Sequence, residues 1–172
     1  MAGGIEHERR FLIKPEFVPP WVDWPVPFEP SKIEQVYLRC SHGVDRIRRR
    51  FWIEKRKTEY DRTQKVKIDA VRVQETVTEI NSAEFLMLGV LQDPLTEPIH
   101  KWRRVFEWDG VTWELDMFTT PARIVILEVE IQDFPDRGIN LPDFLGPLTE
   151  VTGDPLWSNK SMSMKTWVAP IR

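Results

Sequence analysis

Polar and apolar residues alternate with period 2 along much of the chain, the signature of β-strands whose two faces meet different surroundings. Residues 4–12 set Ile5, His7, Arg9 and Phe11 against Glu6, Glu8, Arg10 and Leu12. The same alternation predicts strands over 33–40, 44–54, 64–70, 71–80 and 123–132. The loop after the first strand holds Pro15, Pro19, Pro20, Pro25, Pro27 and Pro30, and so many fixed φ angles and missing donors exclude a helix or a central strand there. Phe17, Trp21, Trp24 and Phe28 make the loop a packed flap instead of a free linker. Asn81-Ser82-Ala83-Glu84 has the form of a capping box and opens a short helix ending near Gly89. Asp109-Gly110 is a favoured type I′ turn between alternating runs at 99–108 and 111–118. Such a turn fixes the register: Arg103 faces Asp116, Val105 faces Glu114, Phe106 meets Trp113 and Trp102 meets Met117. A short helical piece is expected around 141–145 and a final segment over 147–168. The pattern describes one antiparallel, mainly β domain spanning 1–172.

Composition narrows the class. With 172 residues, 41% of them hydrophobic and 30% charged, the chain suits one globular domain and excludes a disordered or membrane-embedded one. No apolar run approaches the roughly 20 residues that span a bilayer, and Met1-Ala2-Gly3-Gly4-Ile5-Glu6 lacks the shape of a signal peptide. The lone Cys40 excludes an internal disulfide, and no Cys/His cluster suggests zinc. These features lead us to expect a cytoplasmic protein with no membrane partner.

The net charge of −3 hides 24 basic and 27 acidic residues, and their arrangement changes the picture. Polar strand faces are segregated by sign. Acidic faces occur at Glu6/Glu8 and Glu128/Glu130, and basic faces at Arg46/Arg48/Arg50, Lys65/Lys67 and Lys101/Arg103. Carboxylates at i and i+2 of a strand point the same way about 7 Å apart, so two such strands can converge four oxygen donors. Oxygen-only ligation suits Mg²⁺ or Mn²⁺. Guanidinium and ammonium groups at that spacing can grip successive phosphates. Each motif alone is more often a solvated face, and Arg103/Asp116 alone could be a structural ion pair. Recurrence of the alternation on five strands is what raises the functional reading. RNA binding through the basic run 46–57 is disfavoured by the negative net charge.

These pieces, taken in order, resemble the CYTH domain, or triphosphate tunnel metalloenzyme family. Ile5-Glu6-His7-Glu8-Arg9-Arg10 is similar to its Glu-x-Glu-x-Lys opening, with Arg10 in the Lys place. Ile33-Glu34-Gln35-Val36-Tyr37-Leu38 resembles the stretch leading into the second strand, Arg46-Ile47-Arg48 the Arg-x-Arg strand, and Lys67 the Lys of the next strand. Lys101-Trp102-Arg103, Glu114-Leu115-Asp116 and Glu128-Val129-Glu130 resemble the later charged strands, and Glu150-Val151-Thr152 the C-terminal segment. The resemblance implies an eight-stranded antiparallel closed β-barrel tunnel with a few short flanking helices. One departure has consequences: Arg72-Val73-Gln74-Glu75-Thr76 puts Gln74 and Thr76 where the family has carboxylates, unless a bulge turns Glu75 inward.

The function so implied is metal-dependent hydrolysis of inorganic tripolyphosphate or a small organic triphosphate. Glu6, Glu8, Glu128 and Glu130 would hold Mg²⁺ or Mn²⁺. Arg10, Arg46, Arg48, Lys67, Lys101 and Arg103 would bind the phosphates, with Glu114 and Asp116 orienting the bases. Glu128 or Glu130 would orient the attacking water. The alternatives are a module that binds a nucleotide or polyphosphate without turnover, and a class IV-type adenylate cyclase, for which no adenine pocket is marked. A homodimer is left open.

Overall fold

The structure, a computed structural model, describes residues 7–67, 73–131 and 138–170. Asp109 and Gly110 both take positive φ, 50° and 71°, the backbone that a type I′ turn requires. That turn joins β6 (Ile99–Trp108) to β7 (Val111–Thr120), and the four pairs expected from the sequence are in register. β8 (Ile124–Ile131) pairs with β7, and β1 (His7–Ile13) with β8. On the other side of β6 come β2 (Phe28–Tyr37), β3 (Val44–Trp52), β4 (Lys57–Lys67) and β5 (Val73–Glu79). The short β9 (Leu148–Glu150) lies on the free edge of β1. Among the described residues the strands form one antiparallel sheet in the order β5-β4-β3-β2-β6-β7-β8-β1-β9.

The expected closed eight-stranded barrel is corrected here. β5 and β9 are the two ends of the sheet and do not pair with one another. Closure would need a strand on the free edge of β1, and that edge is already occupied by β9 and by the Val151 N–H donating to the Arg10 carbonyl.

Two strands begin earlier than the sequence predicts. β2 starts at Phe28 and contains Pro30, which the excluded central strand did not allow for. The Pro30 carbonyl accepts from the Ile53 N–H on the side away from β6, so the missing donor points away from that ladder as well. β4 starts at Lys57, directly after the turn that ends β3, so Thr58–Thr63 (58–63) is strand and not connection.

Three apolar clusters fix the sheet. Phe11, Trp113, Leu115, Leu127 and Val129 face outward from β1, β7 and β8 and are covered by Trp24, Phe106 and Leu145. Trp24 lies edge-on to Phe28, Phe106 and Phe144, so the Pro/Trp segment packs as expected. On the inner face Tyr37, Ile99, Phe118 and Ile126 meet Trp157 and Met162 from the C-terminal segment, which includes α2 (Asn159–Ser163). That cluster makes an apolar floor at one end of the inner face. Val36, Leu38 and Ile47 pack under Phe85 of α1 (Ser82–Gly89).

The capping box expected at α1 is present: Asn81 Oδ1 accepts from the Glu84 N–H at 3.0 Å, and the Asn81 N–H donates to Glu84 Oε2 at 2.7 Å. Asn81→Ala should lower stability by about 1 kcal/mol in urea denaturation. A loss below a few tenths would mean that Phe85 packing alone holds the helix. Among the described residues no helix is long and apolar enough to cross a membrane.

Candidate functional site

Side chains on a strand alternate between faces, so each strand that supplies one apolar residue to the floor supplies charged residues above it at steps of two. Ile99 is followed by Lys101 and Arg103, Phe118 is preceded by Asp116 and Glu114, and Ile126 is followed by Glu128 and Glu130. Leu12 is preceded by Arg10 and Glu8, and Val44 is followed by Arg46, Arg48 and Arg50. The curled sheet brings these faces around a cavity of about 730 Å³. Among the described residues its wall carries seven basic side chains (Arg10, Arg46, Arg48, Arg50, Lys65, Lys101, Arg103) and five carboxylates (Glu8, Glu75, Glu114, Glu128, Glu130).

Of the residues singled out from the sequence, Glu8, Arg10, Arg46, Arg48, Lys101, Arg103, Glu114, Glu128 and Glu130 line this one cavity. Asp116 sits fully buried behind the wall. Glu6 and the side chain of Lys67 lie outside the described residues. Gln74 and Thr76, expected to face inward, do not line the cavity; Glu75 and Val77 do. No bulge is involved: Lys65 pairs with Glu75 and Thr63 with Val77 in a regular ladder, so Glu75 and Val77 face in. One inward carboxylate is therefore kept, and Glu75 meets Lys65 Nζ at 2.7 Å.

The centre of the wall is a buried charge network. Lys101 Nζ donates to Asp116 Oδ2 at 2.5 Å, and Arg103 grips both Asp116 oxygens at 2.6 Å. Arg103 also reaches Glu114 and, at 3.3 Å, Glu128. Burial alone would push the Asp116 carboxyl up, but Arg103 and Lys101 together hold it well below the usual range. For Lys101 burial wins, and its ammonium is easier to deprotonate than in water. Glu128 is raised, first by burial and then by the nearby Asp116 charge. Arg10 contacts Glu8 and, at 2.9 Å, Glu128. Arg48 donates to Asp61 Oδ2 at 2.8 Å.

Arg46 and Arg50 differ from the rest. Neither has a carboxylate within ion-pair distance among the described residues. Arg46 donates to Gln35 Oε1 at 3.3 Å, and Arg50 to Ser31 Oγ at 3.1 Å. Arg46 Nε and Arg50 Nη2 are buried with no hydrogen-bond partner among the described residues. Such donors are costly unless an anion or water meets them. The Tyr37 hydroxyl below Arg46 is pushed up to about 12 by burial, so it stays neutral, and it accepts from Gln35 Nε2 at 2.8 Å.

The hard oxygen donors that could meet a divalent cation are Glu8, Glu128 and Glu130, with Glu8 directly across from Glu130 on neighbouring strands. Their chemistry suits Mg²⁺ or Mn²⁺. Among the described residues, however, no three acidic, His or Cys side chains converge as a metal-holding group. Arg10 sits against both Glu8 and Glu128, and a cation would have to displace it.

Several residues at or behind the wall are absent from the site that the sequence resemblance implies. Asp61 orients Arg48, and it could have been found by extending the alternation of β4 back through Tyr60 and Thr58. Arg50 and Lys65 belong to basic faces legible in the sequence, but the resemblance assigns them no phosphate-binding role. Asn159 lines the cavity because α2 folds against it, and nothing in the local sequence announces that.

No family model matches the chain. A 65-residue stretch is 38% identical to a protein named inorganic triphosphatase from Acetivibrio thermocellus, over 37% of this chain and 40% of that protein. The chain thus spans about two-fifths of the length of the curated relative it matches. Among solved structures, the PH1819 protein from Pyrococcus horikoshii OT3 superposes with a TM-score of 0.52 at 21% identity, over 74% of this chain and 79% of that one. A conserved hypothetical protein from Pyrococcus furiosus gives 0.50 at 24% identity, over 76% and 81%. These two establish a likeness of fold, and the curated relative's name fits the family that the sequence resembles.

Proposed function

We propose that the chain is a triphosphatase that binds a linear triphosphate, foremost inorganic tripolyphosphate, in the charged cavity and hydrolyses its terminal phosphoryl group. One observation carries this reading: among the described residues the cavity is lined by many basic groups, two of which, Arg46 and Arg50, have no carboxylate partner and hold buried donors with no hydrogen-bond partner. A polyanion satisfies them and the neighbouring cations together, whereas a neutral ligand would leave them bare. The name of the Acetivibrio thermocellus relative supports the same class of reaction.

Phosphoryl transfer asks a protein chiefly for positioning and charge neutralisation. Arg46, Arg48, Lys101 and Arg103 would hold the phosphate oxygens, with Asp61 and Asp116 fixing the directions of Arg48, Lys101 and Arg103. Glu128, with its raised affinity for a proton, suits a group that accepts one from the attacking water. The water oxygen bonds to the terminal phosphorus, the bridging P–O bond breaks, and the leaving diphosphate keeps the electron pair. Mg²⁺ or Mn²⁺ would supply further neutralisation of phosphate oxygens, and Glu8 and Glu130, opposite one another on neighbouring strands, are the described carboxylates that would hold it once Arg10 moves off Glu8.

Phosphate release from tripolyphosphate, thiamine triphosphate and ATP, with Mg²⁺ or Mn²⁺ and with chelator, tests the proposal. Glu128→Gln should lower kcat at least about 100-fold, the loss typical of a group acting directly on the reacting atoms. Turnover that survives this substitution would remove Glu128 from the chemistry. A second reading, binding without turnover, is favoured by the way Arg10 occupies Glu8 and Glu128. Clear binding with no phosphate release under any metal would establish it.

A further inference from the structure

The basic run on β3 is longer than a triphosphate needs. Arg46, Arg48 and Arg50 point to the same face at successive steps, which puts the Cα atoms of the first and last about 13 Å apart. A P–O–P link is shorter than one such step of roughly 7 Å, so three phosphoryl groups are covered by two neighbouring arginines and their partners across the cavity. Arg48 is partly neutralised by Asp61, whereas the two arginines flanking it have no carboxylate partner among the described residues. The strand therefore offers one open cation near the apolar floor and another two steps further from it.

Arg50 is also held in place as a binding group is. Its guanidinium carbon lies over Trp52, 3.6 Å from the ring centre, and the group donates to Ser31. Trp52 is anchored in turn by donating its indole N–H to Glu59 Oε2 at 2.7 Å, and Lys55 lies over the same ring at 4.6 Å. This mounting leaves Arg50 Nη2 buried beside the cavity with no partner among the described residues. Burial, with Arg103 and Arg48 nearby, lowers the Arg50 guanidinium to about 10, so an incoming negative charge relieves a real electrostatic cost.

We propose that Arg50, laid on Trp52 and tied to Ser31, is an additional anion seat that makes the cavity prefer linear oligophosphates longer than three phosphoryl groups. The inference deepens the reading of the cavity as a phosphate site and rests on it.

Calorimetric binding of inorganic tripolyphosphate and inorganic tetrapolyphosphate, without metal and at one fixed ionic strength, tests it. The wild-type chain should bind the longer ligand about ten-fold more tightly, the low end of what a charge-assisted hydrogen bond contributes. Arg50→Gln should bring that ratio close to one, and Arg50→Lys should keep part of it. Arg46→Gln, on the segment that both ligands occupy, should weaken both and leave the ratio as it is. A preference that persists in Arg50→Gln would reflect total ligand charge and overturn the proposal. So would equal affinity of the wild-type chain for the two ligands, which leaves the phosphate reading intact. Failure of the wild-type chain to bind either ligand would overturn both.

Discussion

Asp116→Ala is expected to remove about 3–5 kcal/mol of folding stability, the largest single effect the structure foretells. Asp116 is fully buried and, among the described residues, is the only carboxylate that meets both Lys101 and Arg103, themselves almost wholly buried. Deleting it leaves two cations in a poorly solvated wall, and an uncompensated buried charge is what makes breaking such pairs so costly. Asp116→Asn keeps the shape and one acceptor and should cost less. Urea denaturation compares the three proteins. A change below about 1 kcal/mol would mean that Lys101 and Arg103 swing into the water of the cavity when released. The same network sets a pH dependence. The folded-state pKa of Asp116 lies below its unfolded value, so its contribution is complete above the ordinary aspartate pKa of about 4 and is lost as pH falls beneath it. A stability profile between pH 3 and pH 6 should be steeper for the wild-type chain than for Asp116→Asn.

Tripolyphosphate should raise the melting temperature strongly, even without metal. A ligand at a hundred times its dissociation constant adds about 2.7 kcal/mol, which in a chain of this size corresponds to roughly 5–10 °C. The physical source is repulsion among cations that share one wall, above all at Arg50, whose guanidinium is lowered first by burial and then by the nearby charges of Arg103 and Arg48. Sulfate, with a single anionic centre, should give only part of the shift, and raised salt should shrink both. A shift under 1 °C with saturating tripolyphosphate would sink the phosphate reading of the cavity.

Much of this architecture can be read in the residues. Asp109-Gly110 forces a type I′ turn, and everything about the β6/β7 register follows from it, including the Arg103–Asp116 pair at the heart of the site. The strand carrying Val125, Leu127 and Val129 on one face necessarily carries Glu128 and Glu130 on the other. Asn81 and Glu84 declare the helix start because both of their side chains have defined backbone targets.

What could not be read has physical reasons too. Lys57–Thr63 (57–63) holds Tyr60 as its one large apolar residue, so its alternation is nearly silent and Asp61 stayed hidden. The parity of β5 depends on the length and path of the connection before it, which local pattern does not constrain. This is why Glu75, and not Gln74, turned out to face the cavity. Closure is a relation between the two ends of the sheet. No single strand encodes it, and the C-terminal β9 took the edge that closure requires.

That unpaired edge changes how a long anion would reach its seat. Among the described residues β5 and β9 do not pair, and an opening along that line would make the arginine wall a trough instead of a pipe. A linear molecule need not be threaded end-first; it can settle sideways along its whole length, drawn by the summed field of the wall. Its association rate is then set by ionic strength, and not by how often a chain end finds a mouth.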